Sequence, residues 1–301
     1  MGKSVAIYSA LAGHYDNIQQ PKVIDERFDY VLFSNEIEAE KVGVWQIRKI
    51  DYYNQDTTRI CRYVKTHPEE LLPEYKLSVW MDSNIQIFDS YIYDSVLALY
   101  KAGELISSMW HPTGCIYQEA FNVMDWHMEH ERVAVRWCHH IRQEGYPRYN
   151  GLCETNVLYR VHSDRRISVF DAEWWKCIDA NSRRDQLSYN YVLWKQSLPC
   201  HYLMGVGVNV RNSEHFSICL HKDSGHNIYS LAKDEAWVLR YYWKHPEIQK
   251  QIIELYYRIY AFPFPQLCLN TIGQLLRIKT FVTRIFTAVK KRYRTCKKQN
   301  L

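Results

Sequence analysis

Short apolar runs that stop at polar or small residues alternate with amphipathic stretches along the first half of the chain. Residues 4–10, 28–34 and 77–81 are rich in β-branched and aromatic side chains, as a strand buried on both faces requires, and 44–47 makes a shorter fourth run. Helical periodicity predicts helices over 56–64, 91–102, 117–129 and 131–144, with strands at 104–109 and 156–161 between or after them. A helix over 171–178 follows, and another opens at 182–186 with Leu187, Tyr191 and Trp194 recurring at helical spacing. Residues 206–222 read as irregular or β, and 232–242 and 246–260 as helices. Strands alternating with helices predict an α/β fold: a mixed, mainly parallel, Rossmann-like sheet flanked by helices, with a C-terminal helical extension.

Composition adds little to that picture, but charge adds more. With 47% hydrophobic and 24% charged residues the chain of 301 can bury a full core and is not a disordered polymer. Its 24 Tyr and 10 Trp supply rings with an apolar body and a polar edge, which suit sugar-facing surfaces as well as cores. Nine scattered cysteines, odd in number and never spaced C-x-x-C, argue against a disulfide framework or a zinc module. No apolar run is long enough to cross a bilayer, and the expectation is a cytoplasmic, reduced protein. Ten of the 38 basic residues follow Glu254, beyond which no acidic residue occurs, so residues 1–254 carry 28 basic against 33 acidic side chains. A body of that sign excludes nucleic acid as a partner.

The cationic excess belongs to the tail. Ile278, Phe281, Val282, Ile285, Phe286, Val289 and Tyr293 fit one helical face, and lysines and arginines fill the rest. Such a helix either docks on the body or lies against an anionic membrane surface. The expected division is therefore 1–228 as the main domain, 229–265 as a helical extension packed on it, and 266–301 as a basic amphipathic helix at the inner face of a membrane.

The run at 77–81 ends at Asp82-Ser83-Asn84 before apolar residues resume at Ile85. In open α/β sheets ligands bind beyond the carboxyl ends of strands, so Asp82 stands where a polar group meets a ligand. A plain turn accounts for the same three residues. On the preceding helix Arg59, Arg62 and Lys65 share about one face, either as a solvated stripe or as donors for an anion. Asp185, just before an apolar helical repeat, is either an N-cap or a working carboxylate.

Five blocks in order carry a resemblance. They are Arg62-Tyr63-Val64-Lys65-Thr66-His67-Pro68; Tyr75 to Asn84; His111-Pro112-x-x-Cys115-Ile116-Tyr117-x-Glu119-Ala120; Glu154-Thr155-Asn156-Val157-x-x-Arg160-x-His162; and Arg183-Arg184-Asp185-Gln186-Leu187-Ser188. Together they resemble the TOD/MUCI-type glycosyltransferase-like domain family of bacteria and plants, over roughly residues 3–225. The resemblance implies a GT-A-like fold and transfer of a sugar from a nucleotide-sugar donor to a glycan or lipid-linked acceptor. Cell-surface polysaccharide synthesis, in lipopolysaccharide or capsule, is the process it suggests. A non-catalytic glycan- or nucleotide-binding protein of the same fold is the alternative.

The same resemblance assigns expected roles. Asp185 and Gln186 stand as the leading catalytic candidates, with Glu154 and Glu119 as lesser ones. Arg59, Arg62, Lys65, Asp82, Asn84 and His111 stand on the donor side, joined by Ala10 and Asn35 at the ends of the first two strands. Asp82 and Asn84, with His221 from a late loop, would hold Mn2+ or Mg2+. Asn84 replaces the second carboxylate of an Asp-x-Asp element, and a neutral amide oxygen is a weaker ligand for a hard cation.

Overall fold

The computed structural model describes residues 4–126 and 128–219. The chain first lays down strands β1 (Val5–Leu11), β2 (Phe28–Ser34), β3 (Lys41–Val42) and β4 (Trp45–Arg48). Helices α1 (Thr57–Thr66) and α2 (Pro68–Leu71) lead to β5 (Leu77–Met81), β6 (Ile85–Ile87), helix α3 (Tyr91–Lys101) and β7 (Ile106–Trp110). Helices α4 (Ile116–Asp125) and α5 (Glu131–Gln143) precede β8 (Cys153–Arg160). Helices α6 (Arg165–Ala180) and α7 (Gln186–Lys195) and the short strands β9 (His201–Tyr202) and β10 (Phe216–Ile218) complete it.

Eight strands form one sheet in the order β3-β4-β2-β1-β5-β8-β7-β9, and β10 pairs with β6 in a separate antiparallel ribbon. Every residue of β1 and β5 is buried, which is why both read as unbroken apolar runs. They pair in parallel with Val5 opposite Leu77, and β2 flanks β1 on the other side with Val5 opposite Phe28. Parallel pairing also joins β2 to β4 and β7 to β9. Strand β8 runs antiparallel to both β5 and β7, and β3 runs antiparallel to β4. The sheet is thus mixed and mainly parallel, with helices against it, as the sequence pattern predicts.

Two boundaries differ from that pattern for local reasons. Strand β8 begins at Cys153, not 156, because Glu154 and Cys153 continue the ladder across a bulge opposite Met109 and Trp110. Helix α6 begins at Arg165, well before 171, because the Asp164 carboxylate caps it by accepting from the Arg166 N–H at 2.9 Å. Of the stretch 206–222, residues 216–218 form β10. The expected helices at 232–242 and 246–260, the divisions at 229–265 and 266–301, and His221 lie outside the described residues. Among the described residues no helix is long and apolar enough to cross a membrane.

One buried ionic knot fixes the layers beneath the strand ends. Arg160, at the end of β8, has no exposed surface and pairs with Asp171 of α6. Its second amino group donates to the Tyr8 hydroxyl of β1 and to the Lys65 carbonyl at the end of α1. Three elements are therefore anchored to one guanidinium. Removing a single partner from a buried pair leaves an uncompensated charge, so Asp171→Ala should cost about 3–5 kcal/mol in urea unfolding. A loss below about 1 kcal/mol, the range of a surface pair, would show that the knot holds nothing.

Candidate functional site

The carboxyl ends of β1 and β5 and the amino end of antiparallel β8 meet at one edge of the sheet, where the Asp82 N–H donates to the Asn156 carbonyl at 2.9 Å. Above that edge lies a cavity of about 650 Å³, within the range of small-molecule sites. Its walls include Ala10, Arg62, Asp82, Asn84, Glu154, Asp185 and Gln186, all of them expected site residues from distant parts of the chain. Gly13 closes the loop after β1 at φ +82°, and a Cβ there would meet the Thr57 hydroxyl at 2.6 Å, so glycine lets this loop pass the start of α1.

Lysine 65 joins the two aspartates. Its ammonium is wholly buried behind the cavity wall and not part of it, 2.5 Å from Asp185 Oδ2 and 3.5 Å from Asp82 Oδ1, so this expected donor-side residue braces the two aspartates and does not itself face the cavity. Asp185 Oδ2 also accepts from the Thr155 hydroxyl at 2.9 Å, and Asp185 Oδ1 lies 3.2 Å from Arg62 Nε. Burial pushes the Asp185 carboxyl up, but the Arg62 and Lys65 charges outweigh it and hold the group well below the usual carboxylate range. Although Asp185 stands at the N-cap position of α7, its side chain makes no capping bond; it serves the cations instead.

Glu154 has the opposite character. It is 1% exposed, and burial raises its pKa despite the Arg211 charge and the 2.8 Å hydrogen bond from Asn156. Arg211 Nη1 pairs with its Oε1. Asp82 Oδ1 accepts from the Trp80 indole at 2.7 Å, which aims the carboxylate beyond its strand.

Other expected residues are placed elsewhere. The Arg59 guanidinium is spent on the Ile178, Asp179 and Asn181 carbonyls at the end of α6, the last two at 3.1 and 2.9 Å. The carboxamide of Asn35 both donates to and accepts from the backbone of Ile50, at 2.9 and 2.8 Å. His111 is not part of the cavity wall; its Nδ1 accepts from the Thr113 N–H at 3.1 Å and its Nε2 lies 3.7 Å from Glu119. Burial, with Arg211 and Arg184 adding, pushes its pKa down to about 4, which leaves it neutral near pH 7. Glu119 accepts from Thr113 and Asn122 at 3.2 and 3.1 Å, off the cavity wall.

Several wall residues were not nominated from sequence: Asp16, Thr155, Arg183, Arg184 and Arg211. Thr155 and the two arginines sit within the quoted blocks beside Glu154 and Asp185, so their signal was adjacency. Arg211 had none. It is aimed by a local turn in which the Asn209 carboxamide accepts from its N–H at 2.9 Å.

The fit of a divalent cation can be tested on the donor set. Among the described residues no three His, Cys, Asp or Glu side chains gather as ligands. Asp82 Oδ1 already faces an indole N–H and an ammonium, and the Asn84 amide nitrogen is turned to the Cys219 carbonyl at 3.2 Å. The described residues do not by themselves fit a metal ion.

A mixed sheet with charged groups converging on a cavity beyond its strand ends defines an α/β domain with a polar pocket at one sheet edge. The chain belongs to the TOD1/MUCI70, glycosyltransferase-like domain family, which it matches over residues 2–205. No curated protein matches it. Among solved structures it is similar to Core-mannan synthase A (CmsA/Ktr4) from Aspergillus fumigatus in its Mn/GDP form, with TM-score 0.40 and 10% identity over 73% of this chain and 79% of that one. That likeness is too distant to carry an argument about substrate or metal.

Proposed function

We propose that the chain is a glycosyltransferase that moves a sugar from a nucleotide-sugar donor to a glycan or lipid-linked acceptor within this cavity. The observation that carries the reading is the convergence of Asp82 and Asp185 on one polar cavity of about 650 Å³, bridged from behind by the buried Lys65. Family membership agrees with it.

In this reading the acceptor hydroxyl oxygen bonds to the anomeric carbon as the bond to the diphosphate breaks. The electron pair of that bond leaves with the nucleoside diphosphate, and the hydroxyl proton passes to a carboxylate. Glu154 suits that proton because its pKa is raised toward the working range, whereas Asp185 is held too acidic and too fully engaged by Arg62 and Lys65. Asp185 instead positions Arg62 and Lys65, and Gln186 binds a sugar hydroxyl. Asp82 faces the ribose or diphosphate. Mn2+ or Mg2+ at Asp82 would need a further ligand, such as His221, from outside the described residues; no step above is routed through it. Membrane contact by 266–301 and a role in lipopolysaccharide or capsule synthesis rest on the sequence alone.

A non-catalytic nucleotide or glycan binder is the second reading, favoured by the structural use of the Asn84 amide at Cys219. Thermal-shift measurements against uridine, guanosine and cytidine diphosphates, with and without manganese, test the shared premise. A nucleotide present at 100 times its Kd should stabilise the protein by about 2.7 kcal/mol. Stabilisation by none of them removes the donor site, and stabilisation without hydrolysis of any matching nucleotide sugar favours the binder.

A further inference from the structure

Four guanidinium groups face the cavity, and three of them have a carboxylate partner. Arg62 has Asp185, Arg183 has Asp56 at 3.3 Å, and Arg211 has Glu154. Arg184 is the exception: no carboxylate lies within ion-pair reach of it among the described residues, and its Nε, like that of Arg62, is buried without a hydrogen-bond acceptor. Its own backbone N–H is held by the Ser182 hydroxyl at 3.0 Å, so the side chain leaves from a fixed point.

A half-buried guanidinium on a cavity wall, with no carboxylate in ion-pair reach, leaves its counter-charge to be supplied by whatever fills the cavity. Burial, reinforced by repulsion from Arg62, depresses the Arg184 pKa although the Asp185, Glu119 and Asp82 charges pull the other way. Two helix amino termini open onto the same space: Thr57 and Thr58 of α1, and Gln186 of α7. Each favours negative charge near its first turn, and each already has an aspartate at its cap position, Asp56 accepting from the Thr58 N–H at 3.1 Å and Asp185 preceding Gln186. A neutral sugar or nucleoside would leave Arg184 without a counter-charge. Two linked phosphates would not.

We infer that Arg184 is the protein's own counter-ion for the donor diphosphate, closing on the phosphate oxygens between the amino termini of α1 and α7. This rests on the nucleotide-sugar reading above and adds to it the group that receives the leaving diphosphate. The guanidinium fork offers parallel N–H donors to phosphate oxygens, and it meets the charge that grows there as the sugar departs. Arg62 and Lys65 are already committed to Asp185, so they cannot replace it.

The test is calorimetric titration of the full chain in EDTA with the nucleoside diphosphate that stabilises it and with the corresponding nucleoside. Arg184→Gln should lose about tenfold to a hundredfold in diphosphate affinity, the worth of a charged hydrogen bond, and keep its nucleoside affinity. Its ligand-free melting temperature should not fall, because no partner is lost. Arg184→Lys should recover part of the affinity. Diphosphate affinity within twofold of wild type in Arg184→Gln, or an equal loss of diphosphate and nucleoside, overturns the inference and leaves the donor site intact. The wild-type protein supplies a measurement independent of any variant's folding: equal affinity for nucleoside and diphosphate in EDTA also overturns it. Binding of no nucleotide at all overturns the glycosyltransferase reading, and Arg184's role with it.

Discussion

Asp185→Asn is expected to destabilise the protein by about 3–5 kcal/mol in urea unfolding, because two buried cations lose their shared counter-ion. The amide keeps the volume of the carboxylate, so the loss reports charge and not a cavity. Lys65 cannot turn to water, being wholly buried, and Asp82 at 3.5 Å is too distant and too exposed to compensate. The sign of the pH dependence follows from the depressed pKa. A carboxyl more acidic in the folded state than in the unfolded chain stabilises above its unfolded value, near about 4, and that contribution drains away as pH falls below it. Wild type should therefore lose stability between about pH 4 and pH 2 more steeply than Asp185→Asn. The double variant Lys65→Met, Asp185→Asn should lose less than the sum of the single changes, since each partner's absence removes the other's penalty. Additive losses, or matching acid profiles, would mean that the two residues do not act as a coupled pair beneath the site.

The strands that build this site were legible for a specific reason. Both faces of β1 and β5 are covered, so their sequences are unbroken apolar runs, and the first polar residue after β5 marks the working edge. The direction of β8 was not legible. A strand buried on both faces reads the same whether its neighbours are parallel or antiparallel, and only the fold shows that the amino end of β8 brings Glu154 to the edge where Asp82 ends β5. Helix α1 shows the same limit at the level of side chains. Arg59, Arg62 and Lys65 share a helical face, yet the arginine nearest the amino terminus is captured by the carbonyls that end α6, while the other two reach Asp185. Which cation serves the cavity is decided by the element packed opposite. The ranking of the carboxylates was obscured in the same way. A motif brings Asp185 forward, but proton affinity depends on surroundings: the Arg62 and Lys65 charges from α1 make Asp185 the stronger acid, and burial, only partly offset by Arg211, makes Glu154 the weaker.

That ordering leads to the sharpest functional expectation. Glu154→Gln should reduce hydrolysis of the cognate nucleotide sugar by about a hundredfold to ten-thousandfold, the usual contribution of a general base, with water standing in for the acceptor. Affinity for the nucleoside diphosphate should be nearly unchanged, because the proton acceptor contacts the attacking oxygen and not the leaving group. The pH profile separates this from a structural effect. A base works when deprotonated, so the wild-type rate should climb with rising pH through a value above the ordinary glutamate range, then level off. In Glu154→Gln that limb should disappear. Arg211→Met offers a second handle on the same group, since losing the adjacent positive charge should move the wild-type limb to still higher pH. If Glu154 merely holds Arg211 in place, both variants would lower the rate equally at every pH and the limb would stay where it was. The carboxylate that attracts less attention in the sequence would then be an anchor, and the proton would have to leave through another wall carboxylate, Asp82 or Asp16.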